Sequence, residues 1–375
     1  KPDARAAATN RIQLPAPGPV SEAEKSQLNR MVATWYDSLL GRSNFNGSVL
    51  VAKSGNIIYT RYNGTAHLPG KDSINSETPF HIASVSKTLT AMATLKLWEA
   101  GKFQLDDPFQ KYFPAFNYPE ITIRSLLTHR SGLPNYVYFM EELGWDKKQY
   151  IHNADVLQYL ITRKAESKNI GRPNTYFSYC NTNYALLALL IEKMSGQSFP
   201  DYMKSQLFEP IGMTHSFIFQ QSDSGHVPLS YDWRGQLIPL NFLDLVYGDK
   251  NMYSTAEDIL KWDRALKPDV FLKAATLEEA YKPYSNEKAG IRNYGLGWRL
   301  NVYPDGYKVV YHNGWWHGNN ASFVRLIPED ITIIVLGNRF NKSIYKTKYL
   351  VGAFNQNLTP VKEEEGDTAK AGGSH

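Results

Sequence analysis

The sequence predicts an α+β fold: an antiparallel sheet flanked by helices, with a mainly helical region inserted between the sheet's strands. Runs that read as strands lie towards both ends of the 375-residue chain. Between them, from about 105 to 270, the apolar pattern is mostly helical and broken by prolines such as Pro108, Pro134 and Pro200. One more helical run follows the last strand. Strands supplied by both ends pair most simply in a single sheet, and the middle then stands beside it, with a cleft where the two meet.

Residues 1–20 are polar, carry four prolines and read as a flexible lead-in. Ser21 opens a helix whose apolar period runs through Leu28, Met31, Val32, Trp35 and Leu39 to Leu40, closed by Gly41. Phe45 to Ala52 and Ile57 to Tyr62 are β-rich runs joined by Lys53-Ser54-Gly55-Asn56, a short hairpin connection. A second helix runs from about Ser84 to Ala100, with Leu89, Met92, Leu95 and Leu97 apolar and Gly101 as its stop. Strand patterns return at Gly297 to Val302, Tyr307 to Tyr311, Ala321 to Leu326 and Thr332 to Leu336, and a last helix covers about Ser343 to Phe354. Residues 21–357 therefore read as one domain, and 358–375, rich in Glu, Gly and Ala, as a disordered tail.

At 42% hydrophobic and 21% charged, the composition is that of an ordinary globular protein. The net charge of +5 is spread along the chain, which argues against a nucleic-acid partner. Cys180 is the single cysteine, so neither an intrachain disulfide nor a Cys-rich zinc pattern is available. His312 and His317 form the closest histidine pair, but no H-E-x-x-H or carboxylate partner at ligand spacing accompanies them, and neither metal nor cofactor is expected. No apolar run approaches the ~20 residues of a membrane span.

Ser84-Val85-Ser86-Lys87 is the first element with chemistry in it. A serine hydroxyl is a weak nucleophile unless a neighbouring base takes its proton. Residues three apart share a helix face, so Lys87 can bring its amine to Ser84. Ser285-Asn286-Glu287-Lys288 and Ser343-Ile344-Tyr345-Lys346 match the same spacing. The first lies in a polar, Pro-flanked loop, and no partner motif follows the second. Ser84 instead stands where an apolar segment meets a long apolar helix, which buries Lys87. An ordinary helix cap is the competing reading.

Tyr179-Cys180-Asn181 precedes a further helix, Tyr184 to Ser195. The tyrosine can shuttle a proton, and Asn181 can either hold a substrate amide or orient Lys87. His312-Asn313-Gly314 closes a strand-like run; its glycine lets a ligand lie close to the backbone, and an edge strand there could pair with a peptide-like substrate. A structural role is the competing reading of His312.

Together these three elements make the sequence resemble the serine β-lactamase and penicillin-binding protein superfamily, in the branch that holds class C β-lactamases, DD-peptidases, D-aminopeptidases and related esterases. The resemblance extends through Leu126-Leu127-Thr128-His129-Arg130-Ser131-Gly132-Leu133-Pro134, Tyr253-Ser254-Thr255-Ala256-Glu257-Asp258 and Tyr294-Gly295-Leu296-Gly297-Trp298, and covers roughly 46–354. It implies that Ser84 is acylated, that Lys87 and Tyr179 share the base role, and that Asn181, His312, Asn313, Gly314 and Trp315 contact the substrate. The oxyanion hole would use the backbone N–H groups of Ser84 and Trp315. It implies a small-molecule or peptide substrate (a D-amino-acid peptide, a β-lactam or an ester) and a periplasmic or otherwise extracytoplasmic setting after removal of a signal peptide.

His312 departs from the lysine of many β-lactamases, which weakens the grip on a substrate carboxylate and makes it pH-dependent. Trp315-Trp316 follow the glycine where small residues are usual, which predicts a bulky aromatic rim. Slow or absent β-lactam turnover follows as an expectation.

Overall fold

The computed structural model describes residues 11–68, 70–164 and 171–358. Its main sheet has seven antiparallel strands: β1 (Gly47–Lys53), β2 (Asn56–Asn63), β3 (Arg292–Tyr294), β4 (Arg299–Val302), β5 (Lys308–Trp316), β6 (Asn319–Leu326) and β7 (Ile331–Gly337). Their order is β3-β4-β5-β6-β7-β1-β2. The two ends of the chain meet at the β7–β1 pair, which runs from Gly47 opposite Gly337 to Lys53 opposite Ile331. Ser54 and Gly55 turn β1 into β2 with φ of 50° and 75°, the left-handed geometry that matches strand twist in a two-residue hairpin.

Two helices bear on the site, α2 (Ser86–Glu99) and α3 (Asn181–Ser195), while α1 (Glu22–Trp35) and α4 (Thr347–Phe354) cover the other face of the sheet. Strand side chains alternate between two cores. Val49, Val51, Val324, Ile333 and Val335 pack with Val32 and Trp35 of α1 and Leu350 and Val351 of α4. Leu50, Ala52, Ala321, Phe323, Ile334 and Leu336 face a larger core shared with α2, α3 and the rest of the helical region. Every residue of α2 from Ser86 to Leu95 is buried. A Thr-rich helix tolerates this because Thr88, Thr90 and Thr94 donate to backbone carbonyls at 2.8–2.9 Å. The result is a rigid mount for whatever its first turn carries.

The sheet, the helical insertion and the closing helix follow the sequence expectation; several details do not. Residues 11–20 are not a loose lead-in: Ile12 N–H donates to Pro210 O at 2.9 Å, Gly18 N–H to Ser54 O at 2.8 Å, and Ile12 and Leu14 pack on the large core. Leu358, assigned to the tail, is buried in the smaller core. Residues 1–10 of the lead-in and 359–375 of the tail lie outside the described residues. β3 escapes the sequence reading because Arg-Asn-Tyr has no apolar alternation. β5 continues past Tyr311 through His312-Asn313-Gly314 to Trp316, because β6 pairs with it along that whole length. Among the described residues, no helix is long and apolar enough to cross a membrane.

Candidate active site

Ser84 lies in a single 3-10 turn, Ala83–Val85, that leads into α2. Ala83 holds φ at 47°, a conformation costly for a residue with a Cβ, so the turn must be held from outside. Lys87 follows one helical turn later and is fully buried. Its Nζ donates to Ser84 Oγ at 3.0 Å, to Asn181 Oδ1 at 2.8 Å and to the backbone O of Asp249 at 2.8 Å. Three donors meet three acceptors, which is what a buried ammonium requires. Of the three acceptors, Ser84 Oγ alone can turn donor. With a neutral amine, two N–H groups stay on Asn181 and Asp249 and the lone pair faces the serine hydroxyl. That is the geometry of a general base. Among the described residues, this is the S-x-x-K match whose amine bonds its own serine.

Asn181 is the first residue of α3, and its Oδ1 accepts from Lys87, as the reading that it orients the amine requires. Tyr179 approaches through its ring: the centroid is 5.0 Å from Lys87 Nζ and 5.0 Å from the guanidinium carbon of Arg299. Its hydroxyl bonds neither Ser84 nor Lys87. Behind it lies His129, with ring centroids 4.3 Å apart. His129 Nδ1 accepts from Cys180 N–H at 3.1 Å and faces Asn183 Nδ2 at 3.2 Å, which places its proton on Nε2. The imidazole thus pins the backbone between Tyr179 and Asn181. Burial, with Lys87, His312 and Arg299 adding to it, holds His129 well below the usual histidine range. Burial also pushes the Cys180 thiol up to about 11, so it is inert.

His312 is fully buried, where the sequence placed it on the cleft wall. Its Nδ1 faces Asn313 O at 2.7 Å and must donate, which leaves Nε2 to accept from the Tyr294 hydroxyl at 3.1 Å. Burial, then the cations of Arg299 and Lys87, push its pKa well down. It is a neutral support and not a titrating grip on the substrate, contrary to the expectation of pH-dependent contact.

Strand alternation confines two further assignments to the backbone. Gly314 shares a face with His312 and lies against the nucleophile's turn: a Cβ there would stand 2.8 Å from Ser84 N and 2.7 Å from Ile82 O. Asn313 and Trp315 point to the opposite face. Asn313 Oδ1 accepts from Ser322 Oγ at 2.8 Å, and the ring of Trp315 stands 5.1 Å from that of Phe340. Their side chains cannot touch a substrate at Ser84; only backbone of theirs can. Trp316 is buried, its Nε1 donating to Asp244 Oδ1 at 2.5 Å, so the expected aromatic rim is absent from this strand. β4 pairs with β5 only from Lys308 to Tyr311. From His312 onward β5 has β6 on one side, and its other edge faces the Ser84 turn.

Sequence reasoning missed Arg299, which belongs to no motif, and Asp249, which contributes a backbone carbonyl and so leaves no side-chain signal. His129 stood within a family segment without an assigned part. Among the described residues, no three His, Cys, Asp or Glu side chains cluster as metal ligands.

The family model described as Beta-lactamase matches residues 34–352. The chain is 31% identical over 348 residues to a penicillin-binding protein of Bacillus subtilis, covering 88% of this chain and 76% of that one. It is 28% identical over 305 residues to protein flp of Staphylococcus aureus, covering 78% of this chain and 59% of flp. A crystal structure of a penicillin-binding protein from Bacillus halodurans shares the fold, with a TM-score of 0.74 at 24% identity over 87% of this chain and 98% of that one. A match this long, on a fold that sets a lysine amine against a serine hydroxyl, leaves one assignment: the chain belongs to the Beta-lactamase family, the serine hydrolases of the penicillin-binding-protein and β-lactamase type.

Proposed function

We propose that the protein cleaves an amide bond of a small peptide through an acyl-Ser84 intermediate, in the manner of a penicillin-binding-protein peptidase. The observation that carries this is the Lys87 amine, held by Asn181 and the Asp249 carbonyl with its third position on Ser84 Oγ. Ser84 Oγ attacks the carbonyl carbon while its proton passes to the neutral Lys87 amine, beside which the Tyr179 ring lies. The oxyanion that forms is met by the backbone N–H groups of Ser84 and Trp315. The same proton then goes to the leaving amine as the C–N bond breaks, and water, deprotonated in turn, hydrolyses the ester to regenerate the serine.

Two features support a peptide over other acyl donors. The edge of β5 beyond Tyr311 is free of β4, which suits a substrate backbone laid alongside it. Arg299 keeps a permanent cation beside Tyr179, where a substrate carboxylate can be met although His312 is neutral. An esterase of the same fold is the second reading, and β-lactams are bound or turned over slowly in both. An extracytoplasmic setting belongs to the same proposal and rests on the resemblance alone.

Intact-mass analysis with a fluorophosphonate and with a penicillin should show one covalent adduct on the wild type and none on Ser84→Ala. A panel of a D-Ala-D-Ala peptide, p-nitrophenyl esters and nitrocefin should favour the peptide. An unlabelled wild type would overturn the mechanism. Ester turnover far above peptide turnover would select the second reading, and rapid nitrocefin hydrolysis would contradict the expected poor β-lactam turnover.

A further inference from the structure

His81 is not part of any motif, yet it is buried directly beneath the nucleophile's turn. Its Nδ1 lies 3.1 Å from the backbone N of Ala83, the residue with φ of 47° just before Ser84. A backbone N–H can only donate, so Nδ1 must accept and the ring proton must sit on Nε2. Nε2 faces Asn251 Oδ1 at 2.9 Å. The orientation of that amide is settled by its other end, where Asn251 Nδ2 donates to Asp244 O and Val246 O at 2.7 Å each. Asn251 is itself left-handed, with φ of 67°, and stands two residues beyond the carbonyl that holds Lys87.

The chain of bonds continues through Asp244. Its carboxylate takes Trp316 Nε1 at 2.5 Å and His317 Nε2 at 3.0 Å, at the end of β5. One continuous relay therefore runs from the amide before Ser84, through His81, Asn251 and Asp244, to the residues just after Trp315. These are the two walls whose N–H groups form the oxyanion hole in the reading above, and the inference rests on that reading.

We propose that His81 is a positioning residue for acyl transfer, a neutral imidazole that holds the strained Ala83 turn and sets Ser84 at its distance from β5. A cationic ring would present N–H to N–H at Ala83 and release the turn. The groups that face His81 are the Tyr253 ring, 5.2 Å between centroids, the Asn251 amide, and the charges of Asp244, His317 and Lys250. Burial, with His317 and Lys250 acting the same way, outweighs Asn251 and Asp244 and keeps the ring unprotonated, with a pKa of about 4.

Two substitutions separate the two ends of the ring. In His81→Asn the amide oxygen can replace Nδ1 and still accept from Ala83; in His81→Gln the amide nitrogen can replace Nε2 and still donate to Asn251, but Ala83 is lost. His81→Phe keeps the bulk and loses both. The readout is the burst of acylation by a p-nitrophenyl ester, with kcat and KM separated, beside the Tm of each variant. His81→Asn should stay within about tenfold of wild-type acylation, whereas His81→Gln and His81→Phe should each lose about 100-fold in rate with KM little changed. Variants that lose rate only in proportion to their lost Tm, or a His81→Phe protein that acylates like wild type, would overturn the proposal while leaving acyl-Ser84 chemistry intact. A wild type that never acylates at Ser84 removes both. Should His81→Phe not fold, 15N NMR of the wild-type imidazole decides: an Nε2–H neutral ring down to about pH 6 supports the brace, and a cation or an Nδ1–H tautomer there refutes it.

Discussion

Gly314 shows how little room separates the nucleophile from the strand beside it. Both atoms that a Cβ would strike, Ser84 N at 2.8 Å and Ile82 O at 2.7 Å, are backbone, so no side chain can swing aside. Gly314→Ala should therefore push β5 off the Ser84 turn, with a drop of about 100-fold in kcat and a stability loss of about 1–3 kcal/mol. Steady-state kinetics with thermal melting checks this, and an alanine variant with unaltered kcat would show that the spacing is not needed. At this scale, the residues legible in the sequence are those whose chemistry depends on side-chain type at a fixed helical spacing. Ser84, Lys87 and Asn181 come together because three donors on one amine need three oxygens. The side chains of Asn313 and Trp315 face away from Ser84, which a three-letter motif does not announce, so what those two residues can offer a substrate is backbone. Asp249 was invisible, since any residue type carries a carbonyl.

Helix α2 and strand β5 are the two elements whose separation sets the site, and a second glycine governs how the helix seats. Gly297 has φ of 85°, and a Cβ there would stand 2.2 Å from Ala91 Cβ and 3.2 Å from Lys87 O. Alanine at this point would displace the helix that carries Lys87 and strain the backbone as well. We expect Gly297→Ala to cost about 2–4 kcal/mol, from overpacking and from the left-handed conformation together, read as a lower urea midpoint with unchanged m-value. A midpoint equal to wild type would argue that α2 can shift freely. The helices and long strands were legible because their apolar periods extend over many residues. The ends were not. A 3-10 turn precedes α2 because the strained Ala83 conformation is imposed by tertiary contacts, and β5 overruns its apolar stretch because β6 supplies pairing partners that no local pattern announces.

Across the whole molecule, three imidazoles sit neutral under the three motif segments: His81 beneath the Ser84 turn, His129 beneath Tyr179–Asn181 and His312 within β5. Burial lowers the pKa of each. Their unfolded counterparts gain protons near pH 6.5 while the folded ones do not, so their contribution is complete above that pH and is lost as pH falls towards the folded values. For His81 the window runs from about 6.5 to about 4 and is worth about 3 kcal/mol. The Tm should therefore fall steadily from pH 7 to the mid-acid range, and a flat profile would mean that these rings are not buried as neutral groups. The main sheet carries one further consequence. Because β7 lies directly against β1, the nucleophile at position 84 leaves the ribosome long before Gly314, and longer still before Ile331 closes the β7–β1 pair. Nascent chains of intermediate length own a serine and a lysine but no strand to hold an acyl oxygen, so reactivity waits until β5 has been made. Folding that depends on so distant a pairing is slow, and chaperone contact during that delay would bear on Gly47–Lys53, an apolar strand with its neighbour β7 not yet made.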